Sequence, residues 1–181
     1  LAAAERARRL DPRSVNAIVQ VARILNGAGQ HARALVELQK ASTMEPGRSD
    51  IQFQLAATYV LKGDTKAAIP ELENALALSP QRNPRFRAYL GYSYAIDGRT
   101  REARQLLQEL LDLREQRYVS SFGIALIHDG LGEKTAALTA LERAFQEHAV
   151  EFLLLDQYPP LRTLASEPRY QELMHRYGAR R

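Results

Sequence analysis

The sequence has no cysteine, no tryptophan and only four lysines against 21 arginines. Without cysteine, disulfides and thiolate metal sites are excluded, and the redox compartment is left open. The four histidines, His31, His128, His148 and His175, form neither H-x-x-x-H nor H-E-x-x-H. No metal-ligand spacing therefore exists, and neither a metal nor a cofactor is expected. No G-x-S-x-G or phosphate-binding P-loop is present, and no pair of carboxylates stands apart from solvated helix faces. Apolar runs are short, as at Phe152–Leu155, far below the ~18 residues of a membrane span. The formal net charge is +4. Its basic residues are mostly interleaved with Glu and Asp, which reads as a solvated surface and not as a massed basic patch. The chain begins at Leu1, without methionine, inside a stretch that already reads as helix. It is expected to be a piece of a longer protein, and a cytoplasmic one.

What the sequence does contain is a period. Pro12, Pro46 and Pro80 are 34 apart twice over (46−12, 80−46). Gly29, Gly63, Gly98 and Gly132 follow at 34, 35 and 34. Ala34, Ala68, Ala103 and Ala137 keep the same steps, as do Ala7, Ala41 and Ala75, continued by Leu110 and Ala144. Ala22 and Ala56 have Gly91 and Ala125 as counterparts. The one extra residue falls in Ser79–Pro84, a loop, where an insertion does least harm. Within each period apolar residues recur at three and four, as in Ile18, Val21, Ala22 and Leu25, the spacing of a helix face.

Helices are predicted over 14–27, 31–44, 49–62, 65–78, 84–97, 100–113, 118–130 and 134–147, after a half-unit at 2–10. Ser49 with Gln52 reads as a capping box, Asp64 and Thr100 as N-caps, and Asn83-Pro84 as a cap before a first-turn proline. Pro70 falls inside a predicted helix and is expected to bend it on an outward face. Gly27-Ala28-Gly29-Gln30-His31-Ala32 fits a dinucleotide fingerprint, G-x-G-x-x-A. It lacks the flanking strands such a site needs, and the equivalent glycines lack the second glycine. Gly29 reads instead as a turn between helices. The dipeptide His128-Asp129 lies at a helix end where the repeat equivalents are Tyr59 and Tyr94, so packing is expected there and no catalysis.

A 34-residue helical pair with small residues at Ala22, Ala34 and Ala41 and proline at Pro46, then at Ala56, Ala68, Ala75 and Pro80, resembles the tetratricopeptide repeat. The third unit keeps Gly91 and Ala103 but departs at Leu110 and Glu115; the fourth keeps Ala125, Ala137 and Ala144 without the proline. The family's first-helix tryptophan is replaced by Ile18, Gln52, Arg87 and Ser121. The resemblance implies an all-α fold, a right-handed α-α superhelical solenoid of helix pairs with a C-terminal helical cap. The expected organisation is an array over 1–148 (half unit 1–12; units 13–46, 47–80, 81–115 and 116–148) and a capping segment over 149–181. The physics agrees. Small residues let paired helices approach closely, and a pair that cannot bury its own apolar face must stack. The tail itself shows no period. Pro159-Pro160 should break a short apolar helix at Phe152–Leu155, and Pro168 should start another that runs through Tyr177. Phe152, Leu155, Leu161, Leu164, Tyr170 and Leu173 are expected to cover the helix bearing Leu138 and Leu141. Residues 118–178 also resemble the C-terminal repeat region of bacterial multidomain regulators, which implies an effector domain upstream.

The resemblance further implies a non-enzymatic scaffold that takes a peptide or protein surface in a concave groove lined by the first helix of each pair. Groove positions fall at Asn16, Val19, Arg23 and Asn26 in the first unit and at Asp50, Phe53, Ala57 and Val60 in the second. In the third they fall at Arg85, Ala88, Tyr92 and Ala95, and in the fourth at Val119, Phe122, Leu126 and Asp129. An exposed face should be polar, and Phe53, Val60, Tyr92, Phe122 and Leu126 are too apolar for plain solvent. Either a ligand covers them, or the array or its tail does. The positions of a carboxylate clamp hold Val19, Arg23, Gln54, Arg85 and Tyr89, which disfavours a clamp for a C-terminal carboxylate. The alternative function is a self-association element that dimerises an upstream domain. A third reading is a nucleic-acid contact through Arg82, Arg85, Arg87, Arg99, Arg101 and Arg104, where interleaved aromatics for stacking are sparse. No membrane partner is expected.

Overall fold

The computed structural model describes residues 14–79, 83–149 and 159–178. The half unit at 1–12 and the quartet Phe152–Leu155 lie outside them. All helices among the described residues are α apart from one 3-10 turn, and these residues contain no strand. Their contacts gather into two units, Leu1–Asn83 and Pro84–Arg181.

The first unit holds α1 (Val15–Gly27), α2 (His31–Met44), α3 (Ser49–Lys62) and α4 (Thr65–Leu78). α1 packs on α2 and α3, α2 on α3, and α3 on α4. The six small residues picked out by the period, Ala22, Ala34, Ala41, Ala56, Ala68 and Ala75, are all fully buried. Around the first three lie Ile18, Val21, Leu25, Leu38, Ile51 and Leu55. The tight turns share one device. Gly63 ends α3 at φ +84°, a conformation that a Cβ disfavours, and the amide of Asp64 donates back to the Tyr59 carbonyl at 2.9 Å. The same reach-back bond joins Gln30 to Leu25 and, in the second unit, Arg99 to Tyr94 and Glu133 to His128.

Caps were less legible. Ser14 and Asp64 cap α1 and α4 as side-chain acceptors, at 3.3 and 3.1 Å from the Ala17 and Ala67 amides. The capping box Ser49–Gln52 does not form. Ser49 is already the first residue of α3, and the buried Gln52 donates to the Ser42 hydroxyl at 3.1 Å instead. Thr100 likewise sits inside its helix, which Arg99 precedes without a side-chain cap. Pro70 is exposed, and α4 continues through it. A helix-interior proline needs such a position, where the lost amide hydrogen bond is offset by water.

The second unit holds α5 (Pro84–Ile96), α6 (Thr100–Arg114), α7 (Ser121–Gly130) and α8 (Lys134–Gln146), then a 3-10 turn (Pro159–Leu164) and α9 (Pro168–Gly178). α7 starts three residues later than the apolar spacing predicts. The cause is distant in sequence: the Glu147 carboxylate accepts from the Ser121 amide at 3.1 Å and from its hydroxyl at 2.8 Å. An anion at a helix N-terminus fixes where the helix begins. The tail keeps the period in its backbone where its sequence has lost it. α9 begins at Pro168, 34 residues after α8 begins at Lys134. The 3-10 turn packs on α7 and α9 packs on α8, in the order of one more, shortened helix pair. Leu161, Leu164 and Leu173 are buried there, and Leu138 and Leu141 beneath them are buried too. Arg169 holds Glu142 at 2.8 Å and Lys134 holds Glu167 at 2.9 Å across the same junction.

α5 and α7 meet through a glycine that the period does not mark. A Cβ placed on Gly123 would lie 2.7 Å from the Cβ of Ala88. Neither atom can swing away, because each is fixed to its backbone. A helical Gly→Ala change ordinarily gains ~1 kcal/mol of propensity. Here Gly123→Ala is expected to cost ~1–2 kcal/mol by forcing the helices apart. Gly91→Ala, whose Cβ would press mainly on the end of the Ile127 side chain, at 2.6 Å from its Cδ1, and reach Leu106 Cβ only at 3.5 Å, is expected to cost less than Gly123→Ala. Parallel urea melts check the pair, and a stabilised Gly123→Ala chain would refute the close approach.

Candidate peptide-binding face

The structure sorts the expected groove positions by depth. In the first unit Asn16 and Arg23 are exposed, while Val19, Asn26, Phe53, Ala57 and Val60 are buried. Asn26 is spent internally: its Nδ2 donates to the Thr58 hydroxyl at 2.7 Å and its Oδ1 lies 3.2 Å from His31 Nδ1. Asn16 accepts from Arg48 at 3.0 Å. Arg48 also grips Asp50 at 2.6 Å and Glu45 at 3.0 Å, which holds the Asp50 carboxyl below its ordinary range. The open part of this face is therefore polar, an Asn16–Arg48–Asp50 network beside Arg23.

In the second unit Arg85 is exposed, with its guanidinium 5.9 Å from the centroid of the Tyr89 ring. Ala88, Tyr92, Phe122 and Leu126 are buried. Ala88 rests against Gly123, and Tyr92 against Gly130. Val119 is buried as well, and so is Asp129, which accepts a hydrogen bond from Thr163 of the 3-10 turn. Here it is the chain itself that covers the apolar face of α7. Phe53, Tyr92 and Phe122, which the spacing puts on the first-helix face, are buried within the fold, and burial accounts for their apolar character. Sequence reasoning missed the Asp129–Thr163 bond, for which the only signal is the 34-residue step between the two.

Several arginines of the basic cluster are committed inside the chain. Arg87 meets Glu109 at 3.2 Å, Arg104 meets Glu133 at 2.6 Å, and Arg99 meets Glu102 at 2.9 Å while stacking 3.8 Å above Tyr94. Arg82 lies outside the described residues. His128 is 2.7 Å from Glu133, a turn contact. Among the described residues no three His, Cys, Asp or Glu side chains are grouped to hold a metal, and no helix is long and apolar enough to cross a membrane.

The sequence model of the tetratricopeptide repeat matches residues 25–88 and 59–122, together 98 of the 181 positions (122−25+1). The chain belongs to the tetratricopeptide repeat family. No curated protein matches it in sequence. Solved structures match its all-α solenoid fold. MamA aligns at 18% identity and a TM-score of 0.58, over 81% of this chain and 85% of its own. YrrB, described as a tetratricopeptide repeat protein with an unusual peptide-binding site, aligns at 18% identity and a TM-score of 0.58, over 96% of this chain and 89% of its own. An O-GlcNAc transferase of Thermobaculum terrenum aligns at 21% and 0.57, over 67% of this chain but 23% of its own. At these identities the likeness is one of fold. Tetratricopeptide repeats are in general interaction modules, and they occur both alone and within enzymes.

Proposed function

We propose that this tetratricopeptide repeat chain is a non-enzymatic scaffold that binds a peptide or protein surface, as part of a larger, cytoplasmic bacterial regulator. The observation that carries the reading is the family fold itself. The peptide-binding site reported for YrrB supports it by analogy of fold. The exposed first-helix positions are Asn16, Arg23 and Asp50 in one unit and Arg85 in the other. Arginine side chains are frequent carriers of binding energy, and exposed guanidinium groups favour acidic residues in the ligand.

Panning a peptide library against the full chain tests this. Arg23→Glu and Arg85→Glu are each expected to weaken selected acidic peptides by ~1–2 kcal/mol, roughly 5- to 30-fold, more at low salt. Melting temperatures should not move, since both side chains are exposed. Peptides that bind both variants as tightly as the parent would remove the first-helix positions of both units as sites. Light scattering across concentrations addresses the self-association reading, which requires a dimer without any added ligand.

A further inference from the structure

α7 ends in a carboxylate that the fold has taken out of water. Asp129 is 6% exposed, and among the described residues its hydrogen-bond partner is the hydroxyl of Thr163 in the 3-10 turn. The other groups around it are few. From α5 comes the Tyr92 phenol, which burial and the Asp129 charge hold above its ordinary range. From α8 comes Lys134, whose ammonium is engaged with Glu167 at 2.9 Å. Arg104 of α6 turns to Glu133, as does His128 of α7 itself. Arg162 of the 3-10 turn is exposed. A buried carboxylate with one neutral donor and no ion pair among the described residues favours its protonated form.

We propose that Asp129 and Thr163 form a proton-responsive latch, in which protonated Asp129 holds the terminal segment Pro159–Gly178 against α7 and α8 and ionised Asp129 loosens it. Burial raises the Asp129 carboxyl from an ordinary 3.8 to about 6, against the opposing pull of the Thr163 bond and of Lys134. Undocking returns the group to water and to its ordinary value. The sign follows. Docking is strongest below the free-group value and weakens as pH rises through about 6, where the docked acid must give up its proton. The protonated acid keeps the bond to Thr163, since its carbonyl oxygen still accepts from the hydroxyl. From the two values, docking should weaken about tenfold between pH 5 and pH 7.5.

Amide hydrogen exchange on the full chain reads this directly, after correction for the intrinsic rate. Protection of residues 159–167 should fall about tenfold from pH 5 to pH 7.5, while that of α2 stays level. Asp129→Asn, which keeps an acceptor for Thr163 and cannot ionise, should be flat with pH and, at pH 5, at least as protected as the parent, whose undocked carboxyl is already ionised there. Thr163→Val removes the donor that favours the ionised acid, and should move the midpoint of the parent's profile to higher pH. Equal protection of the parent at the two pH values would overturn the latch. So would an Asp129→Asn chain with the parent's pH dependence, or an unmoved midpoint in Thr163→Val.

Discussion

Ala41→Arg is expected to unfold the first unit under conditions where the parent chain is fully folded, with a loss of at least ~3 kcal/mol. Ala41 has no exposed surface and lies in α2 amid Ala34, Leu38 and Ile51. Two costs add. Forcing extra atoms into a packed helix contact costs ~1–3 kcal/mol, and bringing a guanidinium into an apolar interior costs several more unless it escapes to solvent. The neighbouring Lys40 is exposed, so Lys40→Arg is the matched control and should change nothing measurable. Circular dichroism through a urea titration checks both. A parent-like midpoint for Ala41→Arg would show that α2 does not pack through that face and would undo the register assigned to every unit.

Tyr92→Ala is the second large effect, a loss of stability where the sequence predicts almost none. Read from spacing alone, Tyr92 stands on the ligand face, and its truncation should leave stability untouched. In the fold it is 7% exposed, and a Cβ on Gly130 would come within 3.1 Å of its ring. Removing a buried aromatic side chain costs ~3–5 kcal/mol when the cavity cannot collapse. Collapse is hindered here because α5 and α7 already touch at Ala88 and Gly123. Tyr92→Phe keeps the ring and should lose far less. Thermal melts of the two variants separate packing from the hydroxyl; a Tyr92→Ala chain as stable as the parent would return this residue to the ligand face.

The helix pairs were legible because the signal behind them is local and repeated. Ala22, Ala34 and Ala41, and their successors, must be small wherever paired helices touch, and Gly63 and its equivalents must turn the chain in a left-handed conformation. These demands fall on single residues at fixed steps. The expected groove positions were legible only as helix spacing. Spacing places Val19, Phe53 and Phe122 on the same side of their helices, but whether water, a ligand or more of the chain meets that side depends on partners far off in sequence. The cap of α7 by Glu147 acts from 26 residues away, and no short pattern encodes it. The period of the tail was hidden for a related reason. Its backbone repeats the 34-residue step, yet Pro168 stands where Lys134 stands one step earlier, so the step shows in the helix starts and not in the residues.

Within each unit, the helices that pack most extensively among the described residues are neighbours or next-but-one along the chain. This arrangement bears on how the molecule reaches its structure. Bringing such helices together closes only short loops, so little entropy is lost before contacts begin to compensate. Chains dominated by local contacts of this kind fold in microseconds to milliseconds. Each unit can begin from whichever helix pair forms first and extend in either direction, without waiting for a distant segment to arrive. Loss of an end pair should then shorten the folded region and leave the remaining pairs free to form at nearly their original rate.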